Sequence, residues 1–324
     1  MLRVLAPLIN QEHDYLNNFL LEKKFDLEFN LKKKFYYSVI RPALPISIRQ
    51  KIQQRYNSKI SFKENFINEE LIDYLKKNFD YKLLIQILYP NNNSCAIVLT
   101  HDVEEEHGFK FIPKVMELEA KYGFKSSWNI VPYKYKIDEG IIKLIQESGH
   151  EIGIHGYNHD GKLYYSEKIF NYRAKFINEA IKKYDAVGFR SPQVHRNLEW
   201  LQKLDIMYDA SCFDYDPFQP FPGGTGSIWP FVVGNFVELP YTLPQDHTLF
   251  YVLKVENIQI WQKKVEWLKQ NNGMILALTH PDYLIDAHNF HHYEELLKIL
   301  ASIKNAWLCL PKEITNWFRN KINI

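Results

Sequence analysis

The sequence has few cysteines and no long hydrophobic run. Its three cysteines, Cys95, Cys212 and Cys309, are far apart and lack Cys-x-x-Cys spacing. A sparse and odd number does not favour a disulfide scaffold and indicates a reducing compartment. No segment approaches the roughly 20 apolar residues that span a bilayer. The first ten residues do not have the pattern of a secretory signal. We therefore expect a cytoplasmic protein.

An excess of charge of one sign is also lacking. The formal net charge is only +2, so the dense basic face of a nucleic-acid-binding protein is not expected. Hydrophobic residues make up 46% of the 324 residues, which allows a sizeable core and excludes wholesale disorder. Aromatic residues reach 15%. Composition alone does not separate core packing from stacking surfaces for sugar rings.

The chain divides into two regions near residue 90. The pattern of residues 1–90 predicts mainly helices, and the turn-rich segment 89–94 marks the end of this region. In residues 91–324, short apolar runs alternate with helical patterns, which predicts a parallel sheet with crossover helices. We expect an α/β fold, a distorted (β/α) barrel of about seven parallel strands with a helical N-terminal extension. The seven apolar runs lie at 94–103, 125–132, 150–156, 186–192, 208–213, 237–242 and 273–281.

Two histidines follow the third of these runs. His155 comes directly after the run 151–154, and His159 lies four residues further on. Gly156 permits a tight turn between them, so both rings can face one point. The spacing alone is typical of two unrelated surface histidines. An acidic cluster at the end of another run favours a metal site instead, since two imidazoles and one carboxylate are a common ligand set for a catalytic divalent metal.

That acidic cluster contains Asp102 and Glu104. Residues two apart in an extended segment point to the same side, so one carboxylate can bind a metal while the other accepts a proton. The alternative is an acid-rich start of the helix predicted at 108–122, where negative charge is favoured by the helix dipole. This segment alone does not decide between the two interpretations.

Two further residues at strand ends carry candidate roles. Arg190 follows an apolar run, where a guanidinium is costly without a carboxylate partner; we expect Asp102 to be that partner, with a salt bridge elsewhere in the barrel as the alternative. His280 ends the last strong run and is a candidate general acid, although a lone histidine there is often structural. The segment 223–226 is too irregular for a phosphate-binding loop and is predicted to be a flexible loop over the site.

These motifs, in this order, resemble those of the polysaccharide deacetylases, carbohydrate esterase family 4. The resemblance covers roughly residues 94–285. It is strongest to a subgroup of bacterial surface-polysaccharide assembly enzymes, which shares the stretch 238–246 and a helical N-terminus containing Arg41 and Pro42. The matching motifs are Thr100-His101-Asp102-Val103, His155-Gly156-Tyr157-Asn158-His159, Arg190-Ser191-Pro192, Asp209-Ala210-Ser211 and Leu278-Thr279-His280.

The chain departs from the family pattern at two positions. The second Asp of the first motif, a metal ligand in the family, is Val103 here, and the Ser or Thr after the first histidine is Gly156. Some relatives use Asp-x-Asp, with the second acid as ligand. By that comparison Asp102 is the base, and Glu104 binds the metal with His155 and His159. If Glu104 points away, Asp102 becomes the ligand and the base is unassigned.

The resemblance implies a metal-dependent hydrolase, most simply a zinc enzyme. It would remove N-acetyl groups from an acetamido sugar of a bacterial surface polysaccharide or its precursor. Asp102 would accept a proton from water, Arg190 would orient Asp102, and His280 would protonate the leaving amine. One alternative is a cyclic amide or ureide hydrolase on the same fold. Another is a non-catalytic barrel that binds glycans through Trp229 and Tyr241.

The basic and aromatic segment 32–41 permits two interpretations. The first is a solvated helix face packed on the barrel. The second is peripheral contact with an anionic membrane, which would place the protein at the inner membrane surface. The sequence carries no information on oligomeric state.

Overall fold

The structure is a computed structural model that describes residues 14–57, 66–78, 81, 88–219 and 221–322. Nine strands form one curved sheet in these residues. They are β1 (Cys95–Val103), β2 (Ser126–Ile130), β3 (Glu151–Ile154), β4 (Gly188–Phe189), β5 (Tyr208–Asp209), β6 (Phe231–Val233), β7 (Phe236–Glu238), β8 (Met274–Thr279) and β9 (Ala306–Leu308).

The spatial order of the strands is β6-β7-β5-β4-β3-β2-β1-β8, and β9 pairs with the first half of β1. Every pairing is parallel except the hairpin of β6 and β7. The predicted distorted (β/α) barrel is confirmed, with eight parallel strands where about seven were expected. Each of the seven predicted runs overlaps a strand. The sequence did not predict β6 and β9, which are three residues long each.

Thr242 helps the sheet to curl between β7 and β8. Its hydroxyl accepts a hydrogen bond from Leu276 N at 3.0 Å and donates one to Met274 O at 2.8 Å. The backbone N–H groups of Thr242 and Leu243 both donate to Leu276 O. These bonds connect the segment after β7 to β8, so the carboxyl ends of the strands are drawn toward one face.

Helices cover the outside of the sheet and form the N-terminal region. Strand β1 is buried along its whole length, as expected where both faces of a parallel strand are covered. The α-helices are α1 (Asp14–Leu20), α2 (Leu31–Phe35), α3 (Arg41–Ala43), α4 (Ile46–Asn57), α5 (Glu70–Asn78), α6 (Glu106–Lys121), α7 (Glu139–Glu147), α8 (Glu167–Lys183), α9 (Leu198–Leu201), α10 (Gln259–Gln270), α11 (Pro281–Leu284), α12 (Ala287–Ala301) and α13 (Pro311–Ile322). Two π-helical segments, Tyr36–Ile40 and His247–Val252, join α2 to α3 and precede α10.

The N-terminal helices share the hydrophobic core of the barrel. Leu16, Leu20 and Phe29 belong to the same buried cluster as the strands. A buried ion pair adds to this packing, because Arg196 donates to both carboxylate oxygens of Glu22. The division of the chain at residues 90 and 91 stays a prediction, since the described part of the extension and the barrel pack as one core.

The glycine-rich segment 223–226 does not lie over the site. Residues 224–226 are buried between the barrel and the N-terminal helices. The backbone N–H of Gly224 donates to Glu22 Oε1 at 2.7 Å, and a Cβ at Gly226 would meet Leu71 and Phe19. The prediction of a flexible loop over the site was therefore wrong. The N-terminal helices, whose position the sequence did not reveal, occupy the space beside this segment.

No helix in the described residues is long and apolar enough to cross a membrane.

Candidate metal centre and active site

The carboxyl ends of four parallel strands bring together the polar residues predicted from the sequence. Asp102 lies near the end of β1, His155 directly follows β3, Arg190 follows β4, and His280 follows β8. In β1 the side chains alternate, so Asp102 shares a side with Glu104 one position beyond the strand while Val103 is buried in the core. The edge of the sheet therefore gathers two carboxylates, a guanidinium and histidines, as in other (β/α) barrels.

Glu104, His155 and His159 form a cluster that could hold a metal ion. One ligand atom from each of the three residues lies within 4.8 Å of the others. His159 Nε2 lies 2.9 Å from Glu104 Oε1. His155 Nε2 is buried and has no hydrogen-bond partner in the described part of the chain, whereas the buried His159 Nε2 contacts the Glu104 carboxylate. Buried polar atoms rarely lack a partner, so an ion between these groups would satisfy His155 Nε2.

The hydrogen bond at the other ring nitrogen of His155 sets its tautomer. His155 Nδ1 lies 3.0 Å from the carbonyl oxygen of Arg190, and a carbonyl can only accept. The Nδ1 atom therefore carries the proton and leaves the Nε2 lone pair free for a metal. Burial lowers the pKa of His155 to about 4, so the ring is neutral at physiological pH, as a metal ligand must be.

The turn between the two histidines requires glycine at position 156. Gly156 has a φ of +69°, and a Cβ built there would lie 2.4 Å from Pro192 Cγ. His159 also has a positive φ of +59°, which costs energy in a residue other than glycine. The family has a hydroxyl-bearing residue at position 156. Here Pro192 approaches so closely that it leaves no room for a side chain.

The backbone of Glu104 is held by a carboxylate that the sequence interpretation missed. Asp282 Oδ2 accepts from Glu104 N at 2.8 Å, and Asp282 Oδ1 accepts from Glu105 N at 3.0 Å. Gly108 makes room for this carboxylate, since a Cβ there would lie 2.2 Å from Asp282 Oδ1. Burial opposes ionisation of Glu104, but the interaction with His159 holds its pKa well below the usual range. Glu104 is therefore an anion aimed at the histidines.

Asp102 lies beside this cluster and is held by two donors. Asn129 Nδ2 donates to Asp102 Oδ1 at 2.9 Å, and Arg190 Nη1 donates to the same oxygen at 3.1 Å. The other carboxylate oxygen, Oδ2, lies 3.7 Å from His155 Nδ1. Burial would raise the pKa of Asp102, but interactions with His155 and Arg190 lower it below its usual value. The carboxylate is ionised, and its Oδ2 remains available to accept a proton.

Arg190 is fixed at several points around Asp102. Its Nε donates to Ala210 O at 2.7 Å, and its Nη1 also reaches Thr100 Oγ1 at 2.9 Å. The side chain is fully buried. Such a network restricts Arg190 to one orientation, so the guanidinium can position the Asp102 carboxylate.

The Asp209 and Ser211 motif lies behind Arg190. Ser211 Oγ donates to Asp209 Oδ1 at 2.7 Å and accepts from Ser191 N at 2.8 Å. Glu238 is buried close to Asp209, and burial together with that neighbouring carboxylate raises its pKa well above the usual range. These residues fix the segment after β4, on which Arg190 lies.

His280 is paired with Asp246, a second residue that sequence reasoning missed. Asp246 Oδ1 accepts from the ring Nδ1 at 2.6 Å, and Asp246 Oδ2 accepts from the backbone N of His280 at 2.8 Å. Burial opposes protonation, but the charge and hydrogen bond of Asp246 raise the pKa of His280 to about 10, with further contributions from Glu104 and Asp102. His280 is therefore a protonated imidazole within electrostatic reach of both carboxylates.

Two aromatic residues named as glycan contacts do not face solvent. Trp229 is 3% exposed and donates from Nε1 to Asn272 O, and Tyr241 is 1% exposed. Both are core residues, so the interpretation of these rings as sugar-stacking surfaces was wrong. Of the residues that the sequence did not reveal, Asp246 had a signal, because it ends the stretch 238–246 shared with the subgroup. Nothing in the sequence marked Asn129.

No profile of a known protein family matches the chain. A curated relative, the peptidoglycan deacetylase of Helicobacter pylori, is 23% identical over 209 residues, which are 53% of this chain and 71% of that protein. The match supports the resemblance to the polysaccharide deacetylases seen in the motifs. This chain is related to the polysaccharide deacetylases. The relationship supports the predicted enzyme class, a hydrolase of carbon–nitrogen bonds other than peptide bonds.

Solved structures of two other proteins share the fold. A provisionally assigned polysaccharide deacetylase from Mycobacterium smegmatis superposes with a TM-score of 0.60 at 18% identity, over 72% of this chain and 93% of that chain. The Puue allantoinase superposes with a TM-score of 0.58 at 13% identity, over 72% and 93% of the two chains. At these identities the likeness confirms the fold, and it does not distinguish one substrate from another.

Proposed function

We propose that the protein is a metal-dependent N-deacetylase of an acetamido sugar in a bacterial surface polysaccharide or its precursor. The observation that carries the proposal is the pairing of a three-residue donor cluster, Glu104, His155 and His159, with the adjacent ionised carboxylate of Asp102. Hydrolysis of an amide needs a polarised carbonyl, a base for water and an acid for the amine. The described residues offer a group for each need.

The donor set fits a divalent cation. Two neutral imidazoles and one carboxylate are a common set in catalytic zinc sites and leave coordination positions open, although other first-row ions accept the same donors. The buried Nε2 atom of His155, which has no hydrogen-bond partner among the described residues, supports this fit. When bound, such a cation polarises an acyl oxygen and lowers the pKa of water. We propose zinc as the ion, with Glu104 as the carboxylate ligand.

Asp102 acts as the base in this proposal. Its pKa is below the usual value, so the carboxylate is ready to accept a proton at neutral pH. Asn129 and Arg190 both donate to Oδ1, which leaves Oδ2 on the side of His155 to take the proton from the attacking water. Arg190 is a positioning residue, because its guanidinium holds the Asp102 carboxylate in place.

His280 acts as the acid. Its Nδ1 proton is engaged by Asp246, so the proton available for the leaving amine is on Nε2. Protonation of the nitrogen as the carbon–nitrogen bond breaks prevents expulsion of an unstable amide anion. The high pKa of His280, about 10, means that the imidazolium form predominates before the substrate binds.

We base a proposed place of action on the outer surface of the N-terminal helices. Leu31, Phe35 and Val39 are 85%, 58% and 52% exposed, and three lysines lie between Leu31 and Phe35. An apolar face beside basic residues is typical of helices that lie on anionic membranes. We propose a cytoplasmic protein that works at the inner membrane surface, where precursors of surface glycans are assembled.

Elemental analysis followed by acetate release tests the proposed function. Protein purified without added metal should contain about one equivalent of a divalent ion, and it should release acetate from some member of a panel of acetamido sugars and oligosaccharides. Chelation should abolish the release, and zinc should restore it. Protein that is folded and metal-loaded yet releases no acetate from any acetamido sugar would overturn the proposal.

The same panel separates the alternatives. The shared fold with an allantoinase makes cyclic ureides the second substrate class to include. Ring opening of a cyclic ureide without acetate release would favour that class. Saturable glycan binding without metal or turnover would favour a non-catalytic barrel, although the burial of Trp229 and Tyr241 removes its main structural support.

A further inference from the structure

The helices of residues 31–57 lie across the mouth of the candidate active site. On one side, Tyr37 Oη lies 2.7 Å from His195 Nε2, and the Tyr37 ring packs where a Cβ at Gly161 would be, just beyond His159. On the other side, Gln54 Nε2 donates to Tyr251 O at 2.8 Å. These contacts place α2–α4 between the two loops that flank the metal cluster.

The π-helical segment that Gln54 contacts is connected to the proposed acid by aromatic rings. The rings of Tyr251 and Tyr283 lie 4.6 Å apart, and the rings of Tyr283 and His280 lie 5.0 Å apart. The helices are therefore connected to His280 through two aromatic rings on this side and to the loop of His159 on the other.

The segment 31–57 has an unusual excess of positive charge. Residues 31–57 contain seven Lys and Arg residues and no Asp or Glu, although the net charge of the whole chain is only +2. Basic residues on a helix usually form a solvated face, and Lys32 and Lys51 are exposed in this way. Arg41 and Arg49 differ, because both are half-buried on the side of the barrel.

Arg41 and Arg49 form an unneutralised pair. The Arg41 guanidinium lies 5.5 Å from the centre of the Tyr37 ring, and Arg41 is also within electrostatic reach of His195. Desolvation and the charge of Arg41 lower the pKa of Arg49, and Tyr36, Tyr283 and Tyr37 oppose this shift. These largest contributions do not include a carboxylate. Within the described ranges, neither arginine forms an ion pair, and Arg49 Nε is buried without a hydrogen-bond partner.

We infer that Arg41 and Arg49 bind an oxyanion carried by the substrate, so that the acetamido sugar reaches the metal cluster with a phosphate or carboxylate under the N-terminal helices. Two guanidiniums that repel each other and have no carboxylate partner among the described residues are stabilised by an external anion, and the planar fork of arginine matches phosphate and carboxylate oxygens. This inference rests on the proposed function, because it assigns the substrate class of the same site.

Matched substrates test the inference on the full chain. The phosphate arm uses N-acetylglucosamine 1-phosphate, the carboxylate arm uses N-acetylmuramic acid, and the neutral reference is methyl N-acetylglucosaminide. The wild-type protein should deacetylate one anionic sugar with a kcat/KM at least about tenfold above that of the neutral sugar, as expected for charge-assisted hydrogen bonds. The arm with the higher ratio identifies the anion.

Variants within the same segment, residues 31–57, supply the control. In Arg49→Gln and Arg41→Gln, the ratio of anionic to neutral kcat/KM should fall about tenfold or more. Lys51→Gln removes a charge from the exposed side of α4 and should leave the ratio unchanged. Equal ratios in wild type and both arginine variants would overturn the inference, as would an equal loss in Lys51→Gln.

A binding experiment separates the inference from the proposed function. Calorimetric titration of N-acetylglucosamine 1-phosphate and N-acetylmuramic acid into Asp102→Asn protein measures affinity without turnover. Binding of an anionic sugar that weakens in the Arg49→Gln background supports the anion site even if no sugar is ever deacetylated. If neutral and anionic sugars are deacetylated with equal efficiency and bound with equal affinity, the anion site is refuted. The proposed function is then still supported.

Discussion

Asp246 holds His280 at two points, since one carboxylate oxygen accepts from the imidazole Nδ1 and the other from the backbone N–H of the same residue. The double contact fixes both the position and the tautomer of the ring. It also stabilises the imidazolium, because the negative charge lies 2.6 Å from Nδ1. A residue 34 positions away in sequence thus determines whether His280 can deliver a proton.

Replacement of Asp246 should move the alkaline limb of the pH–rate profile. The imidazolium of His280 is the active form, and activity is lost as pH rises through its pKa. Asp246→Asn removes the charge that raises this pKa, so the alkaline limb should shift to lower pH by about one unit or more. The measurement is kcat against pH between neutrality and the upper limit of stability.

Asp138→Asn is the matched control for that experiment. Asp138 is exposed and caps α7, and asparagine is an equally good cap, so its profile should match the wild type. An unchanged alkaline limb in Asp246→Asn would contradict the assignment of His280 as the acid.

Asp102→Asn should separate metal binding from catalysis. If Asp102 is the base, the variant keeps its metal and loses about 10²- to 10⁴-fold in kcat, the usual contribution of general base catalysis. His155→Ala should lose metal as well as activity. Metal content by elemental analysis and acetate release are measured on both proteins. Loss of metal in Asp102→Asn would instead identify Asp102 as a ligand, and near wild-type hydrolysis would refute its role as base.

The strand-end residues could be predicted because they depend on local pattern. Alternation along β1 placed Asp102 and Glu104 on one side of the strand, and the apolar runs located the ends of β3, β4 and β8. The partner of Arg190 also followed from a general argument, since a buried guanidinium needs a carboxylate. Each of these inferences uses only the residue type and the position of the nearest strand.

The residues that the sequence did not reveal act over long separations. Glu22 and Arg196 are 174 residues apart, and Glu104 and Asp282 are 178 apart. No period or motif connects such pairs in a single sequence. The position of α2–α4 across the mouth depends on contacts of the same kind, which is why the extension was predicted as helical but its relation to the site was not.

Gly156→Ser should destabilise the protein although it restores the residue type of the family. The φ of +69° and the 2.4 Å approach of Pro192 both oppose a side chain at this position. We expect a loss of about 1–3 kcal/mol in the free energy of unfolding, measured by urea denaturation. Gly123→Ser is the control, because Gly123 has a φ of +79° but open space around its Cβ position. If the two variants lose equal stability, contact with Pro192 contributes nothing.

Glu22→Gln should weaken the attachment of the N-terminal helices to the barrel. The substitution leaves the buried guanidinium of Arg196 without its anionic partner, and breaking a buried pair in this way costs about 3–5 kcal/mol. Glu28→Gln, on the exposed side of the same segment, should change stability by less than about 0.5 kcal/mol. Urea denaturation measures both. Equal stability of the two variants would show that the Glu22–Arg196 pair is not what holds the extension.

Membrane contact should depend on the outward face of the N-terminal helices. Phe35 and Val39 are one helical turn apart and more than half exposed, and the nearby lysines should each contribute about 1 kcal/mol of attraction to an anionic surface. The protein should therefore co-sediment with vesicles containing anionic lipids and not with neutral ones, and salt should weaken the binding. Phe35→Glu combined with Val39→Glu should abolish co-sedimentation, whereas Tyr172→Glu, an equally exposed aromatic on α8, should not. If the double variant still binds anionic vesicles, this face is not the contact and the proposed location at the inner membrane loses its support.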